Sequence, residues 1–233
     1  MDKVYRIADR NIRISSLFSF IHVYCAEYQT DSEPDFEVET TYADIEAERR
    51  TVSAEVAGGW AEVSAVFRKI AERMPEYSTF MLHGSAVAVD GEGYLFTAKS
   101  GTGKSTHARL WRELLGGRAV MVNDDKPFVR VADGEAIVCG SPYSGKEGLN
   151  TNISVPLKAV CVLERSETNS IREAGFSEVY PVLLQQTYHP SDRMMLGRTL
   201  ELLDGLGQAV RFYRLSCNQE LEAAEMSYSA MKG

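Results

Sequence analysis

The run Ala98-Lys99-Ser100-Gly101-Thr102-Gly103-Lys104-Ser105 is the part of the chain best equipped for chemistry. Its spacing fits a phosphate-binding loop at every fixed position but the first, where Ala98 stands instead of glycine. Gly101 and Gly103 let the backbone turn so that successive amides point inward at phosphate oxygens, an approach that a Cβ would obstruct. A helix beginning at Lys104 would add unpaired amides and the positive end of its dipole. Lys104 would then neutralise the β- and γ-phosphates and the Ser105 hydroxyl would ligate Mg²⁺. Ser100, Gly101, Thr102, Gly103 and Thr106 would complete the cradle. The competing reading is a Gly-rich turn with an incidental lysine. The strand–loop–helix setting favours the cradle, and with it binding of ATP and Mg²⁺.

Asp124 and Asp125 follow a short apolar run, where a second acidic element of a phosphate site belongs. One carboxylate there could hold Mg²⁺ and the other could take a proton from an attacking hydroxyl. Adjacent acids also occupy turns, and Pro127 close behind fits that use. His83 enters through hairpin arithmetic: if Asp90 to Gly93 is a four-residue loop, Val89 pairs with Tyr94 and His83 falls opposite Ser100. From there it could contact a γ-phosphate or orient an aspartate. His107, three residues beyond Lys104, reads as surface or packing, and His22 and His189 carry no supporting pattern.

These residues require particular elements around them. Phe80 to Val89 is apolar and partly β-branched, Asp90 to Gly93 is turn chemistry, and Tyr94 to Ala98 is apolar again, which is a β-hairpin. The strand leading into the loop therefore has an antiparallel neighbour, unlike the parallel surroundings of most phosphate-loop proteins. Lys104 to Leu115 reads as a helix with Ala108, Trp111, Leu114 and Leu115 inward, stopped by Gly116-Gly117. Ala119 to Val122 is a strand; a hairpin turns at Asp133-Gly134; residues 140–150 form a Gly-rich loop; and Ala159 to Leu163 is a strand. A helix over Asp192 to Leu203, a strand over Val210 to Leu215 and a helix after Asn218 complete an α/β order. Upstream, Ile12 to Ser15 alternates as a strand after a turn at Asp9-Arg10-Asn11. Leu17 to Tyr24 reads as a buried strand, and Thr30 to Glu37 as a loop. Trp60, Val63, Phe67, Ile70 and Met74 line one face of a helix that ends at Pro75. The division expected is a small α+β segment over 1–78 packed on a nucleotide-binding domain over 79–233.

The composition is that of a globular protein: 233 residues, 44% hydrophobic and 25% charged. A formal net charge of -8 argues against nucleic acid or an anionic membrane surface as a partner. No apolar run nears the ~20 residues needed to span a bilayer, and Met1-Asp2-Lys3-Val4 lacks a secretory pattern. Cys25, Cys139, Cys161 and Cys217 form no CxxC pair, so free buried thiols in a cytoplasmic protein are expected. No interface stripe marks a homo-oligomer, which is left open.

Taken together, His83-Gly84, the hairpin, Ser100 to Thr106 and Asn123-Asp124-Asp125 resemble the HPr kinase/phosphorylase family. More distantly they resemble ATP-dependent phosphoenolpyruvate carboxykinase, which shares that nucleotide-binding core. Gly140-Ser141-Pro142-Tyr143-Ser144-Gly145-Lys146 and Val155-Pro156-Leu157-Lys158-Ala159 are similar to the small HPr-kinase-like proteins of bacteria. The resemblance implies an α/β phosphate-loop core with a mixed sheet. By the same analogy Lys104 holds phosphates, Ser105 and Asp124 serve Mg²⁺, Asp125 or its neighbour is the base for a serine hydroxyl, and His83 matches the family histidine. The implied activity is transfer of the γ-phosphoryl group of ATP to a hydroxyl of a peptide, protein or free amino acid. The alternative is a nucleotide-binding regulatory module without transfer. A carboxykinase-like lyase is a third reading, for which the chain is short. Tyr143, Ser144, Lys146 and Asn150 could meet the acceptor or the phosphates, and Arg193 and Arg198 could reach transition-state charge.

Overall fold

The computed structural model describes residues 1–52 and 57–233. The chain opens with strands β1 (Asp2–Ile7) and β2 (Arg10–Ser15), an antiparallel hairpin turning on Ala8 and Asp9, both with positive φ. Strand β3 (Phe36–Glu39) pairs parallel to β2 and closes a three-stranded sheet. Around it lie helices α1 (Phe20–Tyr24), α2 (Tyr42–Val52) and α3 (Gly58–Arg73), the last followed by a 3₁₀ turn at Met74–Tyr77.

Two upstream expectations change. Leu17 to Tyr24 is not a buried strand. The Glu62 carboxylate accepts from the Leu17 and Phe18 amides at 2.6 and 3.0 Å, which ends β2, and the chain coils into α1. Phe20 and Tyr24, four apart and so one helical turn from each other, then meet the same Trp60 ring. Helix α3 has the predicted face, with Val63, Phe67 and Ile70 buried, but Trp60 at its first turn is 50% exposed. It stands over a cleft instead of in the core.

A nine-stranded sheet carries the rest of the chain. Its strands are β4 (Thr79–Met81), β5 (Ser85–Val89), β6 (Glu92–Thr97), β7 (Ala119–Asn123), β8 (Phe128–Ala132), β9 (Glu135–Cys139), β10 (Ser154–Arg165), β11 (Ser170–Ala174) and β12 (Arg211–Cys217). They run in the order β4-β8-β9-β10-β6-β5-β7, with β12 also on β10 and β11 on β12. Strand β10 is long enough to serve two neighbours on one edge: its start pairs antiparallel with β9 and its end parallel with β12. On its other edge lies β6, also parallel, so the sheet is mixed and the chain is α/β. Helices α4 (Lys104–Leu115) and α7 (Leu221–Met231) pack on one face, around Trp111. Helices α5 (Phe176–Gln186) and α6 (Arg193–Ala209) pack on the other through Val179, Leu183, Leu203 and Leu206. Residues of the first 77 positions share a further core with Met81, Phe128 and Cys139.

The hairpin into the loop is present with a different register. Asp90 (φ 53°) and Gly91 (φ 86°) form a two-residue turn, Val89 pairs with Glu92, and Ser85 with Phe96. The register differs from the expected one by two residues, which keeps each side chain on its face. The expected single strand from Phe80 to Val89 is broken at His83-Gly84. There the His83 amide donates to Gln186 O at 2.8 Å and the Gly84 amide to Asp125 O at 2.9 Å, so the chain leaves one neighbour for another. Among the described residues no helix is long and apolar enough to cross a membrane.

Candidate active site

Strand β6 delivers the chain to Ala98, and α4 begins at Lys104. Between them Gly101 has φ 79° and Gly103 φ 120°, conformations that L-residues rarely adopt. A Cβ built on either glycine meets nothing within 4 Å. Glycine is called for there by backbone conformation, since no protein atom crowds a Cβ at either position. Among the described residues the Thr102 amide donates to Lys99 O at 3.2 Å, while the amides of Gly101, Gly103, Lys104 and Ser105 have no backbone acceptor. The Arg165 guanidinium, at the end of β10, holds the opposite side of the loop through Gly101 O at 2.5 Å and Thr102 O at 3.2 Å. Ser100 and Gly101 are exposed, and Thr102 and Thr106 half-buried.

Lys104 is buried, with its Nζ donating to Ala98 O at 3.1 Å. Burial pushes its ammonium below the usual lysine range against the pull of Asp125 and Asp124. The residue that replaces the first glycine thus contributes only its carbonyl, and its side chain packs in the core.

The acids arrive on β7, the strand beyond β5 from β6. Asp124 is buried beside α4. Its carboxylate accepts from Ser85 Oγ at 3.2 Å, and Ser105 hydrogen-bonds to it as well. Burial raises its carboxyl above the ordinary aspartate value, and those two hydrogen bonds act against the rise. Asp125 faces His83, with Nε2 and Oδ1 3.3 Å apart, and lies 3.7 Å from Lys126 Nζ. Burial acts upward here too. The His83 hydrogen bond and the charges of Lys126 and Lys104 outweigh it, and the carboxyl sits below its usual range. The neighbouring acids are thus pulled in opposite directions. Asp125 is a firmly ionised acceptor, and Asp124 has an excess of buried charge that a cation would relieve.

Asn123 makes this arrangement possible, in a role the sequence reading did not see. Fully buried at the end of β7, its Oδ1 accepts from the Asp125 and Lys126 amides at 2.9 and 2.7 Å, which bends the acidic turn. Its Nδ2 donates to Ser141 O at 2.8 Å and Tyr143 O at 3.2 Å, fastening the 140–150 loop over the same turn. That loop is also tied by the Asp124 amide to Leu149 O and the Thr151 amide to Val122 O, both 3.1 Å. At its tip a Cβ on Gly145 would come within 3.2 Å of Asp124 Oδ2. Ser85 and Lys126 are further site residues without a motif; the Asn-Asp-Asp run itself, with an asparagine able to cap two following amides, was the one available signal for Asn123.

An open cleft of ≈ 830 Å³ meets Ser105, Asp124 and Asp125 on one side and Tyr143 to Gly148 on another. Its third wall comes from the first 77 residues: Tyr24, Glu48, Trp60, Ala61 and Ser64. Tyr143 stacks on Phe67 with ring centroids 4.7 Å apart, and Lys126 Nζ lies 4.3 Å from the centre of the Tyr143 ring. Lys146 lines the cleft, Ser144 Oγ accepts from Asn150 Nδ2 at 2.9 Å, and Tyr28 reaches Asn150 Oδ1 at 2.8 Å.

Other candidates lie elsewhere. His107 is buried against Phe96 and Ser227. His22 is held by Tyr5 and Ser16, and His189 by Leu184 O. Arg193 opens α6, and Arg198 lies farther along it beside Pro75 and Ser78. Neither arginine lines the cleft with the acids.

The Ser105 hydroxyl and the Asp124 carboxylate are hard oxygen donors of the kind that would suit Mg²⁺. Among the described residues no group of three or more His, Cys, Asp or Glu side chains is placed to hold a metal.

Compared with known proteins, the sequence matches no family model and no curated protein. Among solved structures the fold is similar to the HPr(Ser) kinase/phosphatase from Coxiella burnetii, at 12% identity and a TM-score of 0.39. The match covers 66% of this chain and 99% of that one, and the relationship is a distant structural one.

Proposed function

We propose that this chain is an ATP-dependent kinase that transfers a γ-phosphoryl group to a hydroxyl. The observation that carries the reading is the buried Lys104 ammonium at the start of α4, between loop amides without backbone acceptors and the Asp124-Asp125 pair. A buried cation beside inward amides is a stable arrangement mainly for a group that brings several negative charges.

In this reading Lys104 and the amides of Gly101, Gly103, Lys104 and Ser105 hold the phosphate tail, with Ser100, Thr102 and Thr106 at its rim. Ser105 and Asp124 hold Mg²⁺, whose chemistry there is neutralisation of the charge shared by the β- and γ-phosphates. His83 and Lys126 keep Asp125 ionised, and Asn123 fixes its position. The acceptor oxygen forms a new bond to Pγ as the bond from Pγ to the bridging oxygen breaks. The electron pair leaves on ADP, and the acceptor proton passes to the Asp125 carboxylate. Most of the rate gain comes from positioning and charge neutralisation.

The test is to incubate the protein with Mg-ATP and hydroxyl acceptors and to follow new phosphoesters by ³¹P NMR and mass spectrometry. Asp125→Asn should abolish transfer and keep ATP binding. Unchanged ATP binding with no phosphoester from any acceptor would instead establish a nucleotide-binding module.

A further inference from the structure

The acceptor end of the cleft is built unlike its phosphate end. Opposite the acids, Tyr24 and Trp60 form an aromatic wall, with ring centroids 5.5 Å apart and nearly perpendicular. Trp60 also meets Phe20 at 4.8 Å, Phe20 lies against Gly59, and Phe18 lies against Gly58. The ring contacts run Tyr24, Trp60, Phe20, and Phe18, 37% exposed, lies on the adjoining Gly58. Phe20 and Tyr24 are partly buried against the core, which fixes the wall, while Trp60 is 50% exposed over the cleft; a large aromatic ring held half in water beside a cleft is a binding feature more than ordinary surface. At ≈ 830 Å³ the cleft is near the upper end of the roughly 300–1,000 Å³ typical of sites for drug-sized ligands, several times what one small amino acid fills. Among the described residues its lining carries the acids Asp124, Asp125 and Glu147 and the cation Lys146; Asp125 is already matched by His83 and Lys126 and Glu48 by Arg68, which leaves Glu147 as the acid on the loop wall.

Resting on the kinase reading above, we infer that the acceptor is a serine or threonine of a peptide segment with a large apolar side chain close to the hydroxyl, and that Trp60 and Tyr24 select it. The hydroxyl sits at the Asp125 end, the apolar neighbour lies on the Trp60 wall, and the segment continues outward along Phe20 and Phe18. Acidic flanks are repelled by Glu147, whereas neutral or basic ones are accepted. The transfer is the one written above: the peptide Oγ–P bond forms, the Pγ–O bond to ADP breaks, and the peptide proton goes to Asp125.

The experiment uses the full chain, a degenerate serine peptide library, free L-serine and Mg-ATP. Calorimetry with Mg-ATP comes first, because absence of binding there defeats the kinase reading and not this inference alone. With binding present, peptides carrying Trp, Phe or Leu beside the serine should show kcat/KM at least about tenfold above those of free serine and of peptides with acidic flanks. Trp60→Ala, a change at a half-exposed position, should raise the peptide KM roughly tenfold and leave the ATP Kd unchanged; Trp60→Phe should restore most of the loss. Free serine phosphorylated as well as the best peptide, no transfer to any library member, or a KM indifferent to Trp60→Ala would each overturn the inference.

Discussion

Replacing Asn123 with alanine should cost more stability than replacing any residue of the proposed phosphate cradle. The side chain is fully buried and is the partner of four backbone groups: the Ser141 and Tyr143 carbonyls and the Asp125 and Lys126 amides. Each net hydrogen bond is worth about 1 kcal/mol. Water can reach the half-buried amides of the acidic turn but not Ser141. The loss on unfolding should therefore be about 3 kcal/mol, within the ~5–15 kcal/mol that keeps a domain folded. Without the clamp the Asp124-Asp125 turn and the 140–150 loop separate. A displacement of about 1 Å at the base costs transfer about a hundredfold, whereas the Lys104 cradle, on α4, retains ATP. Urea denaturation gives the first quantity, and turnover beside ATP calorimetry the second. Asn123→Asp keeps the acceptor oxygen for the two amides and should fall between. A loss below about 1 kcal/mol with undiminished transfer would show that the turn is held by something other than this side chain.

Removal of His83 as His83→Leu takes away the hydrogen bond that opposes the burial of Asp125, so its carboxyl moves up. The ionised form is then lost at a higher pH as acid is added, and the acid limb of a kcat/KM profile should shift upward relative to wild type. Burial holds His107 at a pKa of about 4, below its unfolded value of 6.5. The unfolded chain therefore binds the proton first, and the stability that neutral His107 contributes is complete above pH 6.5 and is lost as pH falls toward 4. His107→Leu should remove about 2 kcal/mol of that pH dependence between pH 7 and pH 5, read from denaturation at the two values. Gly101→Ala forces an L-residue to φ 79° with no steric contact, so it should cost about 1–2 kcal/mol and weaken ATP binding. Gly117→Ala, where an added Cβ also meets nothing and φ is not positive, should change neither.

The loop, the hairpin and α4 were readable because each depends on local spacing: two glycines with positive φ, a two-residue turn, and an amphipathic run that starts at Lys104 and ends before Gly116. The hairpin register was off by two because Asp90-Gly91 alone makes the turn and Glu92-Gly93 belongs to the strand. What could not be read was tertiary. Leu17 and Phe18 look like strand residues until Glu62, far along the chain, captures their amides. Trp60 fits a core stripe by period, yet α3 presents that first turn to a cleft whose far side is 83 or more residues away, at Tyr143 and beyond. The break at His83-Gly84 depends on Gln186 O and Asp125 O, which no local pattern encodes. For the acids, adjacency in sequence was visible, but the burial that raises Asp124 and the partners that bring Asp125 down, His83 from the β4–β5 break and Lys104 from α4 among them, come together only in the fold.

The central claim is that Lys104 and the loop before it receive a nucleotide's phosphates, and calorimetry of Mg-ATP against wild type and Lys104→Met tests it most directly. A 1:1 binding isotherm in the wild type that Lys104→Met weakens at least about tenfold, while the variant's denaturation midpoint holds or rises because a buried charge has been removed, is the predicted result. No heat from the wild type, or an isotherm that the substitution leaves unmoved, would contradict the claim.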